Sequence, residues 1–255
     1  MVKGKDVTIV DEVEIKIKPG VKFNNPLIIE GFQGIGLVGT LSAQYMAQKL
    51  GLKRIGYVKS EGIPSLALLV NGKLLNPVKI YVNKSKDLII IESELSIPRK
   101  IIYELSEEIA KWAKKIKARE VICMEGIAVK EEERNYEVYG FSTDAKILKK
   151  ITSDGVKKLD NGIVIGMSAA LLLNCKDIKV PATCLMVESR PNFPDGKAAA
   201  ALVKKINELY DFKIDVKELQ TQAVAFEKKL EKVLAHESTL KNIEERSSNK
   251  RSIYG

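Results

Sequence analysis

The sequence has few of the residues that build disulfide frameworks and zinc sites. It contains three cysteines, Cys123, Cys175 and Cys184, and a single histidine, His236. An odd number of widely separated cysteines has neither a disulfide pattern nor metal-ligand spacing, so we expect buried free thiols in a reducing cytoplasm. The sequence therefore predicts no metal site and no cofactor.

Long apolar runs are also missing. No run approaches eighteen residues, and the N-terminal residues do not form a signal-peptide pattern. We therefore expect neither a membrane-spanning helix nor secretion. A chain of 255 residues that is 45% hydrophobic and 29% charged can bury one large core without disulfides or metals. The expectation is a cytoplasmic globular protein.

The charge pattern and the absent nucleotide motif exclude two further classes of protein. The net charge is +9, but the lysines alternate with glutamates along predicted helices and form no stripe with interleaved aromatic residues. This distribution argues against nucleic-acid binding. The phosphate-binding pattern G-x-x-x-x-G-K-[ST] is absent, which argues against an ATP-driven motor.

Short apolar runs that alternate with helical periodicity predict an α/β fold, mostly parallel at its centre with an antiparallel portion. The predicted strands are Val7–Ile17, Pro26–Glu30, Arg54–Val58, Leu66–Val70, Lys73–Leu75, Val78–Val82, Leu88–Ile91, Glu120–Met124, Tyr136–Phe141, Gly162–Gly166 and Ala182–Glu188. The first predicted helix ends near Leu50, and three more span Arg99–Lys117, Lys146–Leu159 and Met167–Leu173. The last predicted helix begins after Asp195, which is placed to cap it.

A glycine turn follows the first buried strand. Gly34, Gly36 and Gly39 match the G-x-G-x-x-G spacing that lets a dinucleotide pyrophosphate lie on a helix N-terminus. The next strand is followed by Lys59 and Ser60, where the fingerprint requires an acidic residue for the ribose. Glycines here also permit close packing of the helix on the sheet, and this packing role is the preferred interpretation.

Four glutamates stand at the carboxyl ends of predicted buried strands: Glu30, Glu92, Glu125 and Glu188. Ligands bind at this edge of open α/β sheets, so the four carboxylates are candidates for an acidic crevice or for acid–base chemistry. Helix capping, ion pairing and solvent exposure are the simpler alternatives. Ser168 does not lie in a G-x-S-x-G nucleophile elbow, and His236 lies far along the chain, so no catalytic residue is assigned.

The last 40 residues of the chain, 216–255, divide into a predicted helix and a polar tail. Within residues 216–246, alternating steps of four and three connect Leu219, Ala223, Phe226, Leu230, Val233, Glu237 and Leu240. This spacing is typical of a coiled-coil seam, with one polar interruption at Glu237. The predicted oligomerisation residues are Leu219, Phe226, Leu230, Val233 and Leu240. A helix that folds back on its own core is the alternative. We thus expect a core domain over residues 1–215, the helix, and a flexible tail over residues 247–255.

The tail ends in Ile253, Tyr254 and Gly255. A hydrophobic residue, a tyrosine and a free carboxylate together supply apolar area, a hydroxyl for hydrogen bonding and a charge for a lysine. Such an ending suits insertion into a pocket of a partner protein. A frayed chain end is the alternative.

Three segments carry a family resemblance: Gly31–Gly39, Gly62–Ser65 and Glu188–Ala200. In this order they resemble the archaeal homologues of eukaryotic proteasome-assembling chaperones, and within that family the activator-type members. The resemblance spans residues 24–212. It implies a phosphorylase-like α/β core without demonstrated catalysis, assembled into a homo-oligomer that we expect to be a tetramer.

The resemblance also implies a partner. Members of the family carry a C-terminal hydrophobic-tyrosine-any-residue motif that enters pockets between the α-subunits of the proteasome core particle. Ile253, Tyr254 and Gly255 match that motif position by position. The expected protein is a non-enzymatic, ATP-independent proteasome activator or assembly chaperone. A nucleoside- or nucleotide-binding enzyme that uses the glycine turn and the strand-end glutamates is the alternative.

Overall fold

The computed structural model describes residues 12–70, 72–130, 133–191 and 193–221. In these ranges a nine-stranded sheet carries helices on both faces, and a two-stranded hairpin stands apart from it. The strands are β1 (Val13–Ile17), β2 (Leu27–Gly31), β3 (Lys53–Ser60), β4 (Leu68–Val70), β5 (Lys73–Leu75), β6 (Val78–Val82), β7 (Leu88–Ser93), β8 (Glu120–Ala128), β9 (Val138–Ser142), β10 (Lys157–Lys158) and β11 (Ala182–Ser189). The helices are α1 (Val38–Lys49), α2 (Ile102–Lys115), α3 (Ala145–Ser153), α4 (Gly166–Asp177) and α5 (Gly196–Tyr210).

The central strands are parallel and the flanking ones are mostly antiparallel. The order across the sheet is β1-β3-β6-β7-β2-β8-β11-β9-β10. Strands β7, β2, β8 and β11 run parallel to one another, and β6 and β9 pair with this block in the antiparallel sense. The predicted α/β class with a mostly parallel centre is therefore confirmed. The carboxyl ends of the four parallel strands lie along one edge.

Successive side chains of the central strands point to opposite faces of the sheet, and this divides the core into two layers. Ile28 belongs to the layer beneath α2 and α4, while Leu27 and Ile29 belong to the layer beneath α1, α3 and α5. All three side chains are fully buried. Strands covered on both faces read as continuous apolar runs, which is why β2 and β7 were evident in the sequence.

Two predicted elements differ most from the structure. The predicted strand Gly162–Gly166 is wrong, because this segment has no strand partner and leads directly into α4. Its Ile163 and Ile165 are 91% and 69% exposed. The predicted helix Lys146–Leu159 is too long: α3 ends at Ser153, Gly155 takes a positive φ of 85°, and β10 follows. A left-handed residue after a helix is a normal stop signal.

The last described residues pack on the core of their own subunit. Residues 217–221 are helical, and the Asp215 carboxylate accepts a hydrogen bond from the backbone N–H of Lys217 at 2.9 Å. Leu219 is only 7% exposed and lies in the same layer as α1 and α5. Since this side chain is already covered within the subunit, the first turn of the C-terminal segment follows the alternative in which the helix folds back on its own core.

The other predicted seam residues, Phe226, Leu230, Val233 and Leu240, lie outside the described residues, as do most of the predicted helix and the whole tail. In the described part of the chain, no helix combines the length and apolarity needed to cross a bilayer.

Candidate functional site at the carboxyl ends of the central strands

Two of the four strand-end glutamates meet at one serine. The Ser168 hydroxyl lies 2.7 Å from Glu125 Oε1 and 3.1 Å from Glu30 Oε2. Glu30 projects from β2, Glu125 from the adjacent β8, and Ser168 from the first turn of α4. Strand pairing and the packing of α4 on the sheet therefore bring together three residues that are far apart in the sequence.

The Glu30 carboxyl is almost completely shielded from water, with 1% of the residue exposed. Its Oε1 accepts a hydrogen bond from the backbone N–H of Phe32 at 2.9 Å. Burial raises the pKa of Glu30 to about 8, and the neighbouring Glu125 carboxylate adds to the increase. Burial also raises the pKa of Glu125 to about 6, against the lowering effect of the hydrogen bond from Ser168.

The third strand-end glutamate is held elsewhere, by an ion pair across two strands. Glu92 of β7 stands opposite Lys79 of β6, and the Lys79 ammonium lies 3.0 Å from Glu92 Oε1. Both side chains are almost fully buried, and Lys79 also pairs with Glu94. Because this pair lies on the α1 face of the sheet, it does not belong to the Glu30 and Glu125 cluster. The ion-pair alternative therefore applies to Glu92.

Glu188, the fourth, fixes the connection that enters β9. Its carboxylate accepts hydrogen bonds from the backbone N–H groups of Asn135, at 2.7 Å, and Glu137, at 3.3 Å, and from the Tyr139 hydroxyl. These donors satisfy the carboxylate within its own corner of the sheet. The predicted crevice of four carboxylates is thus one pair and two separate residues.

A cavity of about 360 Å³ opens beside the Glu30 and Glu125 pair. Glu125 reaches it directly, whereas Glu30 lies deeper. Apolar side chains form most of the wall, contributed by Ile35, Ile127, Ile163, Val164, Ile165, Met167 and Met186. The site is therefore a small, largely apolar pocket with the Glu125 carboxylate in its lining.

The glycine turn packs against this site. A Cβ on Gly34 would lie 2.1 Å from Glu125 Oε2, and one on Gly39 would lie 2.5 Å from the backbone oxygen of Met124. Gly36 has a positive φ of 62°, and a Cβ there would meet the Ser189 hydroxyl at 1.9 Å. These glycines allow α1 to approach β8 and β11 closely, which agrees with the packing interpretation. A phosphate at the turn would also stand beside the Glu125 carboxylate, which disfavours anion binding.

A buried ion pair fixes the loop that leads into α5. Asp195 is fully buried, and its Oδ2 lies 3.0 Å from Arg134 Nη1. Asp195 also accepts from the backbone N–H of Ala198, as a residue that caps α5, while its own N–H donates to the carbonyl of Gly36. The predicted cap is confirmed. The role of Arg134, whose neighbourhood the sequence indicates as a solvated loop, was missed.

Sequence reasoning assigned no role to Ser168, which the structure places between Glu30 and Glu125. Ser168 matches no nucleophile motif, and its partners are 138 and 43 residues away in the chain. The available signal was its position two residues after Gly166, where a helix begins at the same sheet edge as the glutamates. The partner-binding residues Ile253, Tyr254 and Gly255 lie outside the described residues.

Comparisons with known proteins cover almost the whole described structure. The model of the PAC2 family matches residues 28–234. An uncharacterized protein of Methanocaldococcus jannaschii, MJ0106, is 30% identical over 224 residues, which is 88% of this chain and 92% of the relative.

Two crystal structures from Pyrococcus furiosus share the fold. PbaA, described as an archaeal homolog of proteasome-assembly chaperone, is 29% identical with a TM-score of 0.82, covering 92% of this chain and 97% of PbaA. PbaB, described as an archaeal proteasome activator, is 26% identical with a TM-score of 0.78, covering 88% of this chain and 99% of PbaB. The family match and these two folds agree with the resemblance carried by the glycine turn and the loop before α5, and the chain belongs to the PAC2 family.

Proposed function

We propose that this chain is a non-enzymatic, ATP-independent protein that binds the proteasome core particle and acts as its activator or assembly chaperone. The similarity to PbaA and PbaB over about nine tenths of the chain carries the proposal. The described site supports it indirectly. Glu92 and Glu188 are engaged in structural contacts, and only one carboxylate pair with a serine remains beside the pocket.

The contact is made by the last three residues. Ile253 and Tyr254 enter an apolar pocket between α-subunits, and the Gly255 carboxylate pairs with a lysine there. Burial of the two side chains contributes about 1.5–3 kcal/mol each, and the charged hydrogen bond adds about 1.5–3 kcal/mol, before the cost of association. A single tail therefore binds weakly, so several tails must act together.

The anchored start of the C-terminal segment suits this requirement. The Tyr45 hydroxyl donates to the backbone carbonyl of Asp215, and Lys49 of α1 pairs with Glu218. These contacts fix where the segment leaves the core. A homo-oligomer of such cores, which we take to be a tetramer, presents its tails from fixed origins. Avidity then raises the apparent affinity by about two to four orders of magnitude.

The β4–β5 hairpin is the described surface best suited to contact a second copy of the chain. Leu69 and Leu74 are cross-strand partners, and they are 71% and 74% exposed. An isolated two-stranded hairpin is marginally stable in water, and neighbouring leucines on one face favour burial. Binding through several tails requires more than one copy of the chain, so a second copy is the partner that we propose for this surface.

Co-elution with purified core particle tests the proposal. The full chain should co-elute, and deletion of residues 253–255 should abolish co-elution without changing the circular dichroism spectrum. Addition of one alanine after Gly255 should also abolish it, since the carboxylate is displaced. Ser247→Ala in the same tail is the matched control and should bind normally. Co-elution of the deleted chain would contradict the tail mechanism.

The cavity beside Glu125 supports a second candidate function, the binding of a small molecule such as a nucleoside. It is concave and largely apolar, with the Glu125 carboxylate in its lining. A ligand specific to the folded state raises the melting temperature. A nucleoside and nucleotide panel tests this alternative: a rise that Glu125→Gln removes would support it, and no rise with any compound would reject it.

A further inference from the structure

The Glu30, Ser168 and Glu125 cluster contains fewer protons than its contacts require if both carboxyls are ionised. A serine hydroxyl has one proton, so Ser168 donates to one carboxylate at a time. Its oxygen nevertheless lies within hydrogen-bond distance of both glutamates, 2.7 Å from Glu125 and 3.1 Å from Glu30. Two ionised carboxylates would leave one of these contacts as an oxygen pair with no hydrogen between them.

One added proton resolves the shortage. If Glu30 Oε2 is protonated, it donates to the Ser168 hydroxyl, and the hydroxyl donates to the nearer Glu125 carboxylate. The charge then rests on Glu125, which is the partner that reaches the cavity. The fully enclosed Glu30 is neutral, as the cost of burying a charge favours.

Hydrogen bonds from Phe32, Ser168 and the Cys123 thiol lower the pKa of Glu30, but burial and the Glu125 charge outweigh them. Beside Glu30, β7 presents Ile91, and β8 presents Cys123 on the same face. Cys184 of β11 also faces the pair, and burial raises the pKa of both thiols well above the ordinary value, so they stay neutral. α4 contributes Ser168, and the glycine turn contributes the N–H of Phe32.

We infer that Glu30, Ser168 and Glu125 form a pH-sensitive switch, in which one proton shared between β2, α4 and β8 keeps the N-terminus of α4 closed on the sheet. Loss of that proton places two negative charges on either side of one hydroxyl. Movement of α4 away from the strands lets water reach the two carboxylates, and this water hydrates both charges and screens their repulsion. This device is independent of the proposed proteasome contact.

The switch acts on the apolar segment that precedes α4. Ser168 lies two residues after Gly166, and the exposed Ile163 and Ile165 precede it at the wall of the cavity. A shift of the α4 N-terminus therefore changes the position of this apolar segment. Both folded-state pKa values lie above the ordinary 4.5, with Glu30 at about 8, so the closed form persists at neutral pH and opens as pH rises through about 8.

Carbon-13 NMR of side-chain carboxyls tests the proton directly. In the full chain labelled at glutamate Cδ, one resonance should titrate far above the others, and Glu30→Gln should remove it. Glu188→Gln, which alters a strand-end glutamate outside the cluster, should leave it unchanged. If all glutamates of the unaltered chain titrate near the ordinary value, the shared proton does not exist and the inference fails.

Hydrogen exchange tests the movement. After correction for the intrinsic pH dependence, the amides of residues 170–173, which bond to the carbonyls of the first four residues of α4, should open several-fold more often at pH 9 than at pH 6 in the unaltered chain and in Glu188→Gln. Glu30→Gln, which mimics the protonated form, should show equal opening at both values. If the unaltered chain opens equally often at pH 6 and at pH 9, the switch is overturned even if the shared proton is found. This comparison uses only the unaltered chain, so it remains valid if a substituted protein folds poorly.

Discussion

The phenolic oxygen of Tyr45, in α1, lies 2.6 Å from the backbone carbonyl oxygen of Asp215, to which it donates a hydrogen bond. The two residues are 170 positions apart, and Asp215 lies two residues before the start of the C-terminal helical turn. The contact is partly buried and ties the origin of the C-terminal segment to the core.

Tyr45→Phe removes this hydrogen bond and retains the aromatic packing. We expect a loss of about 0.5–1.5 kcal/mol in the free energy of unfolding, because one partly buried hydrogen bond is lost and its carbonyl is left without this donor. Urea unfolding measures the change. Tyr103→Phe, at a tyrosine that is 58% exposed, is the matched control and should have little effect. Equal losses in both variants would remove the anchoring role of Tyr45.

Gly34→Ala should destabilise the protein by about 1–3 kcal/mol, because the added methyl group meets the Glu125 carboxyl at 2.1 Å. Combining it with Glu125→Ala should restore part of the loss, since the obstructing group is then absent. Thermal unfolding measures both effects. Gly162→Ala, where the nearest atom is a flexible leucine carbon at 3.2 Å, should change the melting temperature little. If the double variant loses as much stability as the two single variants lose together, the proposed clash is contradicted.

The stability of the unaltered protein should fall as pH rises from about 4.5 to about 8. In this window the folded state holds a proton on Glu30 that the unfolded chain has released, so rising pH favours unfolding. A loss of about 2–4 kcal/mol across the window is expected. Glu30→Gln should lack most of it, and denaturant unfolding at several pH values measures the difference. Identical slopes in the two proteins would exclude Glu30 as the source.

Asp195→Ala should cost about 2–5 kcal/mol, because it removes a buried carboxylate that accepts a charged hydrogen bond from Arg134 and that caps α5. Lys111→Ala breaks an exposed pair with Glu107 and should cost less than about 1 kcal/mol. Chemical denaturation of the two variants gives the comparison. Similar small losses would mean that Asp195 adds little to the stability of the loop.

Leu69→Ser combined with Leu74→Ser should lower the oligomeric mass measured by light scattering, because it removes the two adjacent exposed leucines of the β4–β5 hairpin. Tyr103→Ser on α2, another exposed site, should leave the mass unchanged. An unaltered mass in the double variant would rule out the hairpin as the contact between subunits.

The elements that the sequence predicts well are those whose pattern has one physical explanation. β2 and β7 agree within two residues, because strands buried on both faces are short continuous apolar runs. β6, which contains Lys79, agrees at both ends. The segment Gly162–Gly166 has the same local pattern but no neighbouring strand to pair with. Pairing partners are a property of the tertiary fold, so the run alone does not distinguish a strand from an exposed segment.

The sequence predicts which glutamates lie at the sheet edge, but it does not predict which of them come into contact. Strand direction places glutamates at one edge, and the sequence therefore locates Glu30 and Glu125 correctly. The order of the strands in the sheet and the face to which each side chain points decide which glutamates meet. Neither property can be read from the local sequence. Glu92 faces the opposite layer and pairs with Lys79, while Ser168 joins the cluster only because α4 packs across β2 and β8.

The central proposal is that the C-terminal tripeptide binds the proteasome core particle. The most direct measurement is the equilibrium affinity of the full chain for immobilised core particle, compared with Tyr254→Ala and with Ser252→Ala as the neighbouring control. We expect Tyr254→Ala to weaken binding at least tenfold, since each tail loses its aromatic group and avidity multiplies the loss, while Ser252→Ala binds normally. An affinity unchanged by Tyr254→Ala would contradict the proposal.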